Sequence, residues 1–190
     1  MAVSRLVAVV AVLLLGGWPA AALVPELGDA DVQAAVDAGT RGLTQEDFPE
    51  EWHLRPTGAE VVVSTPFSRL ALAARQAAQK GEPLTAKQIQ EQLERGRGRI
   101  QFVVTLVGRT VDFARWYQPL LRVGDREVKP VFVQNERTPL RMEDGRFAAR
   151  NVYVFPLEGL PPRGTVVVVV TSQLDQKEVW RASLDLAQFR

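Results

Sequence analysis

The segment over residues 165–171, Thr-Val-Val-Val-Val-Val-Thr, places five valines in a row near the end of the chain. β-branched residues favour the extended backbone of a strand. Because the run has no polar face, it is typical of a strand whose two faces are both covered. An exposed strand of this composition would promote aggregation. The segment therefore predicts a strand in the middle of a sheet.

Two further segments alternate apolar and polar residues with a period of two, which is typical of strands that bury one face. The segment that begins at Arg99 directs four apolar residues to one side, namely Ile100, Phe102, Val104 and Leu106. The last segment alternates Trp180, Ala182, Leu184 and Leu186 with Arg181, Ser183 and Asp185. Both segments predict strands with one face toward the core.

Tight turns join the remaining strands. Gly124-Asp125 is a two-residue hairpin signal between strands predicted over 118–123 and 126–134. Pro130 has no N–H group to donate to a neighbouring strand, so the second of these strands should lie at an edge or carry a bulge. A second turn, at Asp144-Gly145, separates a short strand near 139–142 from a longer one over 146–155.

Residues 65–96 interrupt the strands with a predicted pair of helices. Thr65 is a suitable N-cap because Pro66 can occupy the first helical position without losing a hydrogen bond. The second helix begins at Thr85, where Gln88 three residues later completes a capping box, and it should stop at Gly96.

Around seven strands with frequent turns predict a mainly β protein, an immunoglobulin-like antiparallel β-sandwich with a two-helix insertion. The alternative is an α+β fold in which the helices cover one sheet. We expect three regions: a signal peptide over 1–22, an acidic and partly helical leader over 23–58 that docks on the body, and the sandwich over 59–190 with its helical insertion.

The first residues are typical of an export signal. Arg5 precedes an unbroken apolar run over 6–15, and Ala20 and Ala22 supply the small residues of a cleavage site after Ala22. A membrane anchor needs a longer apolar segment. Because the chain has no cysteine, it cannot be a lipoprotein or a disulfide scaffold. We therefore expect a periplasmic or extracellular protein with no membrane span after cleavage.

The leader should contain a short helix capped by Asp29 or Asp31 and stopped by Gly39, followed by a helical turn that starts at Thr44. Residues 23–60 hold nine acidic and two basic residues. Two interpretations stay open: the acidic leader neutralises the basic body within one molecule, or the body offers a basic face to an anionic partner.

Several kinds of chemistry have no support in the sequence. With one histidine and no cysteine, a zinc site or a histidine-based catalytic triad would have to use His53, which we interpret as a surface or packing residue. No phosphate-binding glycine loop or calcium loop occurs. The acidic group over 46–51 is interpreted as a solvated helix face rather than a glycosidase pair. We predict no catalytic residue, no metal and no cofactor.

Two segments are candidate partner-binding surfaces. Arg95, Arg97 and Arg99 are separated by glycines just before a strand. They could grip an anion, or they could form a solvated loop that ends a helix, and the flexible glycines favour the second interpretation. The segment over 112–117 carries Arg115, Trp116 and Tyr117. Its aromatic residues could plug one end of the sandwich or form an exposed recognition surface.

These observations favour an exported, noncatalytic binding or assembly module of the cell envelope or periplasm. Its partner would be a protein or an anionic or saccharide ligand, because the balanced charge argues against nucleic acid. Two alternatives stay open: an enzyme that acts through carboxylates or arginines on a saccharide or anionic polymer, and a structural envelope protein.

Overall fold

A computed structural model describes residues 23–41 and 52–190. The helices are α1 (Asp29–Arg41), α2 (Pro66–Gln79) and α3 (Ala86–Gly96), followed near the end by a short 3₁₀ helix, Leu186–Gln188. The strands are β1 (His53–Leu54), β2 (Ala59–Ser64), β3 (Arg99–Gly108), β4 (Tyr117–Val123), β5 (Arg126–Val128), β6 (Phe132–Gln134), β7 (Leu140–Arg141), β8 (Phe147–Pro156), β9 (Thr165–Ser172) and β10 (Glu178–Asp185).

The strands form two antiparallel sheets. The first has the order β1-β2-β3-β8-β6, with β7 also paired to β8, and the second has the order β10-β9-β4-β5. Side chains from both sheets belong to one buried core. The succession β2-β3-β8-β6 opposite β10-β9-β4 is the strand order of an immunoglobulin constant-type sandwich. The predicted mainly β, immunoglobulin-like fold is confirmed.

The valine segment lies where its composition predicts. It forms β9, between β10 and β4. Val166, Val168 and Val170 are fully buried in the core, and Val169 on the opposite face is only 2% exposed. Val167 is half-buried beside Arg122 and Ser183. The central position is confirmed, whereas the cover of the outer face is incomplete.

The strand predicted over 126–134 is wrong as a single element. Its first part is β5, which pairs with β4 in the second sheet, and its last part is β6, which pairs with β8 in the first sheet. The change of sheet occurs at Pro130, since a residue without an N–H group cannot continue a ladder. The next residue, Val131, already donates its N–H to the carbonyl oxygen of Val154 at 2.7 Å. The edge position that Pro130 predicted is correct for both parts.

The helical insertion is confirmed between β2 and β3. Thr65 caps α2 through a capping box with Ser68, and Thr85 caps α3 through one with Gln88. Each cap accepts a hydrogen bond from an N–H group that has no partner within the helix, which fixes the helix start. Helix α3 ends at Gly96, as predicted.

Gly39 does not stop α1, contrary to the prediction. The helix continues to Arg41, and Gly39 is buried where α1 crosses α2. A Cβ atom at this position would lie 2.2 Å from the carbonyl oxygen of Ala71, so glycine permits close approach of the two helices. At the helix start, the Gly28 N–H donates to the Asp31 carboxylate at 3.3 Å. Asp31 also pairs with Arg190 at 2.7 Å.

Some of the sequence predictions concern residues outside the ranges 23–41 and 52–190. The signal peptide over 1–22, the helical turn at Thr44 and the acidic group over 46–51 lie outside the described residues. Leu23, the first described residue, is buried in the core, and its N–H donates to the carbonyl oxygen of Pro162 at 2.9 Å. Within the described ranges, no helix has both the length and the apolar character needed to span a bilayer.

Candidate functional site

Strand β6 is an outer strand of the first sheet, at the edge opposite β1, and exposes apolar side chains. Val131 is 58% exposed, Phe132 50% and Val133 39%, and the following Gln134 is also exposed. In the register with β8, the Val133 side chain lies on the core-facing side, and Phe132 lies on the outer face. One side of β6 pairs with β8, so its other side presents main-chain N–H and C=O groups along the sheet edge.

Two asparagines hold the end of β6 in place. The Asn135 side-chain amide donates to the carbonyl oxygen of Tyr117 at 2.7 Å, which ties the end of β6 to the start of β4. The Asn151 side chain is fully buried, and its oxygen accepts from the N–H of Glu136 at 3.1 Å. Its amide donates to the carbonyl oxygen of Val104 at 3.2 Å. The exposed strand is therefore anchored at its end by polar contacts to both sheets.

The carboxylate of Glu136 accepts hydrogen bonds from the two residues that follow it in the chain. The N–H groups of Thr138 and Arg137 donate to it at 3.0 and 2.9 Å, and the Thr138 hydroxyl lies at 3.2 Å. The Thr138 N–H is the largest of several interactions that lower the pKa of Glu136, because they stabilise the ionised form. This acid therefore helps to shape the turn after β6.

A groove of about 580 Å³ runs beside the end of β6. It is lined by Arg115, Trp116, Phe132, Val133, Gln134, Asn135, Glu136 and Arg137. The Arg115 guanidinium lies over the Trp116 ring at 5.2 Å from its centre, a cation–π contact that orients both side chains. Trp116 remains 46% exposed.

In the segment over 112–117, some aromatic residues plug the end of the sandwich and others are exposed, so each of the two interpretations of its sequence applies to part of it. Phe113 packs against the core and contacts Tyr117 edge to face, with ring centres 5.9 Å apart. Ala114 is buried, and burial raises the pKa of Tyr117. Phe113 and Tyr117 therefore plug the sandwich, whereas Arg115 and Trp116 face solvent in the groove.

A second groove, of about 300 Å³, adjoins the beginning of β6. It is lined by Arg69, Arg95, Arg99, Gln101, Val131, Phe132 and Val154. Phe132 lines both grooves, so the two form one surface along β6. We call this surface, made of the residues that line the two grooves, the β6 surface.

The structure divides the arginine group that the sequence singles out. Arg95 and Arg99 line the β6 surface, but Arg97 lines a separate groove that also contains Glu26 and Asp29. Arg97 is the C-cap of α3 and Arg99 begins β3. The chain turns between them at Gly98, which has a φ of +62°, so the two side chains leave the loop in different directions. Arg115 and Trp116 join the same surface from the loop before β4, whereas half-buried Tyr117 is not among its lining residues.

Sequence reasoning missed Arg69, Phe132, Asn135 and Asn151. Arg69 lies near the start of α2, about thirty positions before Arg99, so no local pattern joins the two. For Phe132 a signal existed, since Pro130 indicates an edge strand and the next residues are apolar. The two asparagines carry no such signal, because their partners come from distant strands.

Two polar atoms are buried beneath the β6 surface. The Tyr153 hydroxyl and the Asn135 side-chain oxygen have no hydrogen-bond partner among the described residues. Burial raises the pKa of Tyr153, and the neighbouring Tyr117 raises it further. Tyr153 is therefore a neutral core residue. Across residues 23–41 and 52–190, no group of three or more histidine or acidic residues could hold a metal ion.

The chain has only distant similarity to known proteins. No protein-family model and no curated protein matches the chain. Two solved structures are similar at 10% identity. The C1 domain of an IgNAR antibody has a TM-score of 0.33, with 70% of this chain and 95% of that domain covered. A protein of unknown function from Burkholderia pseudomallei has a TM-score of 0.39, with 84% and 89% covered. The strand order described above is what identifies the immunoglobulin-like sandwich.

Proposed function

We propose that this protein is an exported, noncatalytic binding module that binds an extended acidic polypeptide by adding it as a strand to β6. The observation that carries the proposal is the composition of β6, an outer strand with exposed Phe132 and Val133 and no charged residue. Outer strands of this kind accept a further strand, because their free N–H and C=O groups already point along the sheet edge.

The charge around β6 supports an acidic partner. Five arginines line the β6 surface, which are Arg69, Arg95, Arg99, Arg115 and Arg137. Among the described residues that line this surface, the one carboxylate is that of Glu136, whose oxygen accepts from main-chain N–H groups. An added strand whose apolar side chains lie on the core-facing side with Val133 would direct its alternating acidic side chains to the outer face, beside Phe132 and near the guanidinium groups of Arg95 and Arg99.

The enzymatic alternative has less support at this surface. Acid–base hydrolysis of a saccharide requires two carboxylates that face each other across a cleft. Of the residues that line the two grooves, Glu136 alone carries a carboxylate, and its hydrogen bonds keep it ionised. Recognition by shape and charge is therefore the better use of these residues.

Export is part of the proposal. The basic start, the apolar run and Ala20 and Ala22 favour cleavage after Ala22, and Leu23 would then begin the mature chain as a buried residue bonded to Pro162. Mass spectrometry of the protein from the periplasm or the medium should find Leu23 at its N-terminus. A chain that retains residues 1–22 in the cytoplasm would contradict export.

Binding can be measured by fluorescence anisotropy with a labelled eight-residue peptide, (Val-Glu)₄ amide. We expect saturable binding, and no binding of (Val-Lys)₄ amide. The same acidic peptide methylated on alternate main-chain nitrogens should bind about tenfold more weakly or less, because it keeps its charge but cannot complete a ladder.

Two variants with the same change in charge provide the matched control. Phe132→Lys places a charge on β6 and should weaken peptide binding by about tenfold or more. Val179→Lys makes the same kind of change at an exposed position of β10 and should leave binding unchanged. Equal binding of the methylated peptide, or an equal loss in both variants, would show that strand addition to β6 does not occur.

A further inference from the structure

The groove beside the start of β6 brings together three arginines from separate elements. Arg69 lies near the start of α2, Arg95 lies in the last turn of α3, and Arg99 is the first residue of β3. We propose that this groove is a specific site for a carboxylate carried on an apolar stem, and that it holds an acidic group of the polypeptide added to β6. The second half of this proposal rests on the proposed function, whereas the first half stands on the groove alone.

The positive charges in the groove have no paired counter-charge in the part of the chain that the structure describes. Among the described residues, no carboxylate forms an ion pair with Arg69, Arg95 or Arg99. Burial lowers the pKa of Arg69, and repulsion by Arg99 and then Arg95 lowers it further. An anion bound between these guanidinium groups would relieve the repulsion, which gives the site a reason to prefer negative charge.

The loop between the arginines is held by main-chain contacts, which weakens the argument that its glycines make it flexible. The carbonyl oxygen of Gly98 accepts from the Leu157 N–H at 2.8 Å, and Gly96 is buried against Pro66. Gly98 has a φ of +62°, a backbone conformation that residues with a side chain rarely adopt. Because the backbone is fixed, an anion would order only the arginine side chains on binding.

The apolar part of the groove determines the rest of the ligand. Val131, Phe132 and Val154 line it beside the arginines. Val131 and Phe132 are exposed, whereas Val154 is only 8% exposed. A ligand that joins a carboxylate to a hydrocarbon or aromatic stem would satisfy both parts. In an antiparallel strand added to β6, the C-terminal end would lie beside Val131 and thus next to this groove.

The site can be tested with 3-phenylpropionate, a carboxylate on an aromatic stem, followed by NMR of the arginine Nε–H groups in the full chain. We expect the signals of Arg69, Arg95 and Arg99 to shift on titration and that of Arg97 to stay. Neutral 3-phenylpropionamide should produce no shifts, and acetate should bind more weakly because it lacks the stem.

Variants separate a specific site from general attraction. Arg99→Gln and Arg95→Gln should each weaken the binding of 3-phenylpropionate by about tenfold, since each removes a charged hydrogen bond. Arg97→Gln removes the same charge from the same loop and should have no effect, because Arg97 lines another groove. Equal weakening by Arg97→Gln, or similar binding of the amide, would overturn the site.

Peptide competition identifies the source of the carboxylate and keeps the two proposals distinguishable. Displacement of 3-phenylpropionate by (Val-Glu)₄ amide supports a side-chain carboxylate, and displacement by acetyl-(Val-Thr)₄ with a free C-terminus supports the chain terminus. If 3-phenylpropionate binds but neither peptide displaces it, the anion site stands and its link to an added polypeptide is overturned. If the peptides bind to β6 while 3-phenylpropionate does not bind, the anion site fails and the proposed function stands.

Discussion

The two sheets of this sandwich end in outer strands that differ in how they face solvent. From Trp180 onward, strand β10 alternates buried Trp180, Ala182 and Leu184 with exposed polar or charged residues. Its register shifts between Glu178 and Trp180, beside exposed Val179. Strand β6 exposes all three of its residues and carries no charge. Charges and bulges are the usual protection of an outer strand against pairing with another chain.

This difference supports the proposed addition of a strand to β6. β10 contributes a large buried surface to the core and carries its own protection, including the ion pair between Arg181 and Glu178. β6 contributes little burial, yet Asn135 and Asn151 hold the residues that follow it in a defined position. A strand that is well positioned and poorly covered is suited to receive a partner.

The largest expected difference between the two strands is in the loss of stability when the largest side chain of each is truncated. Trp180→Ala should lower the free energy of unfolding by about 3 kcal/mol or more, because it empties a buried site and leaves the Thr57 carbonyl oxygen without its donor. Phe132→Ala should cost about 1 kcal/mol or less, since half of that side chain is already exposed. Urea unfolding of both variants measures the two values. Similar losses would show that β6 is part of the stabilising core.

Removal of the protection from β10 should make the two strands alike. The double variant Glu178→Val/Arg181→Val replaces an exposed ion pair by β-branched apolar residues. We expect the variant to self-associate more strongly than the parent protein at the same concentration, because it has one more unprotected outer strand that can pair with another copy. Sedimentation velocity measures the change. A monomeric variant would indicate that the bulge alone protects β10.

The smallest expected difference lies in the dependence of stability on pH. The pKa of Glu136, after β6, is lowered mainly by the Thr138 N–H, and that of Glu178, on β10, is lowered mainly by Arg181. A carboxylate with a lowered folded-state pKa stabilises the protein above its ordinary pKa, and this stabilisation is lost as the pH falls through the folded-state value. Glu136→Gln and Glu178→Gln should each flatten the decline in stability on acidification.

Salt should distinguish these two carboxylates. The interaction of Glu178 with Arg181 is between exposed charges, so added salt should screen it. The main-chain N–H groups that face Glu136 carry no net charge, so its contribution should change less. Urea unfolding between pH 6 and pH 3, at low and high salt, measures both effects. If salt changed the contributions of the two carboxylates to stability equally, the ion pair would not be the main cause at Glu178, or the main-chain N–H groups would not be the main cause at Glu136.

Much of the fold could be predicted from sequence because its signals are local. The β-branched run gives the central strand β9, and the capping boxes at Thr65 and Thr85 give the starts of two helices. The candidate site was predicted only in part. Arg95, Arg99, Arg115 and Trp116 do line the β6 surface, but Arg97 and Tyr117 do not.

By itself, the sequence determined most of the strands and helices and that the fold is mainly β. Apolar periodicity, caps and turn residues act between positions a few residues apart, and they keep the same meaning in any fold. The tertiary structure decided that residues 126–134 divide between two sheets, that Gly39 lets α1 approach α2, and that Arg69 joins Arg95 and Arg99. These outcomes depend on contacts between residues far apart in the chain, which exist only when the two sheets and the helices have packed together.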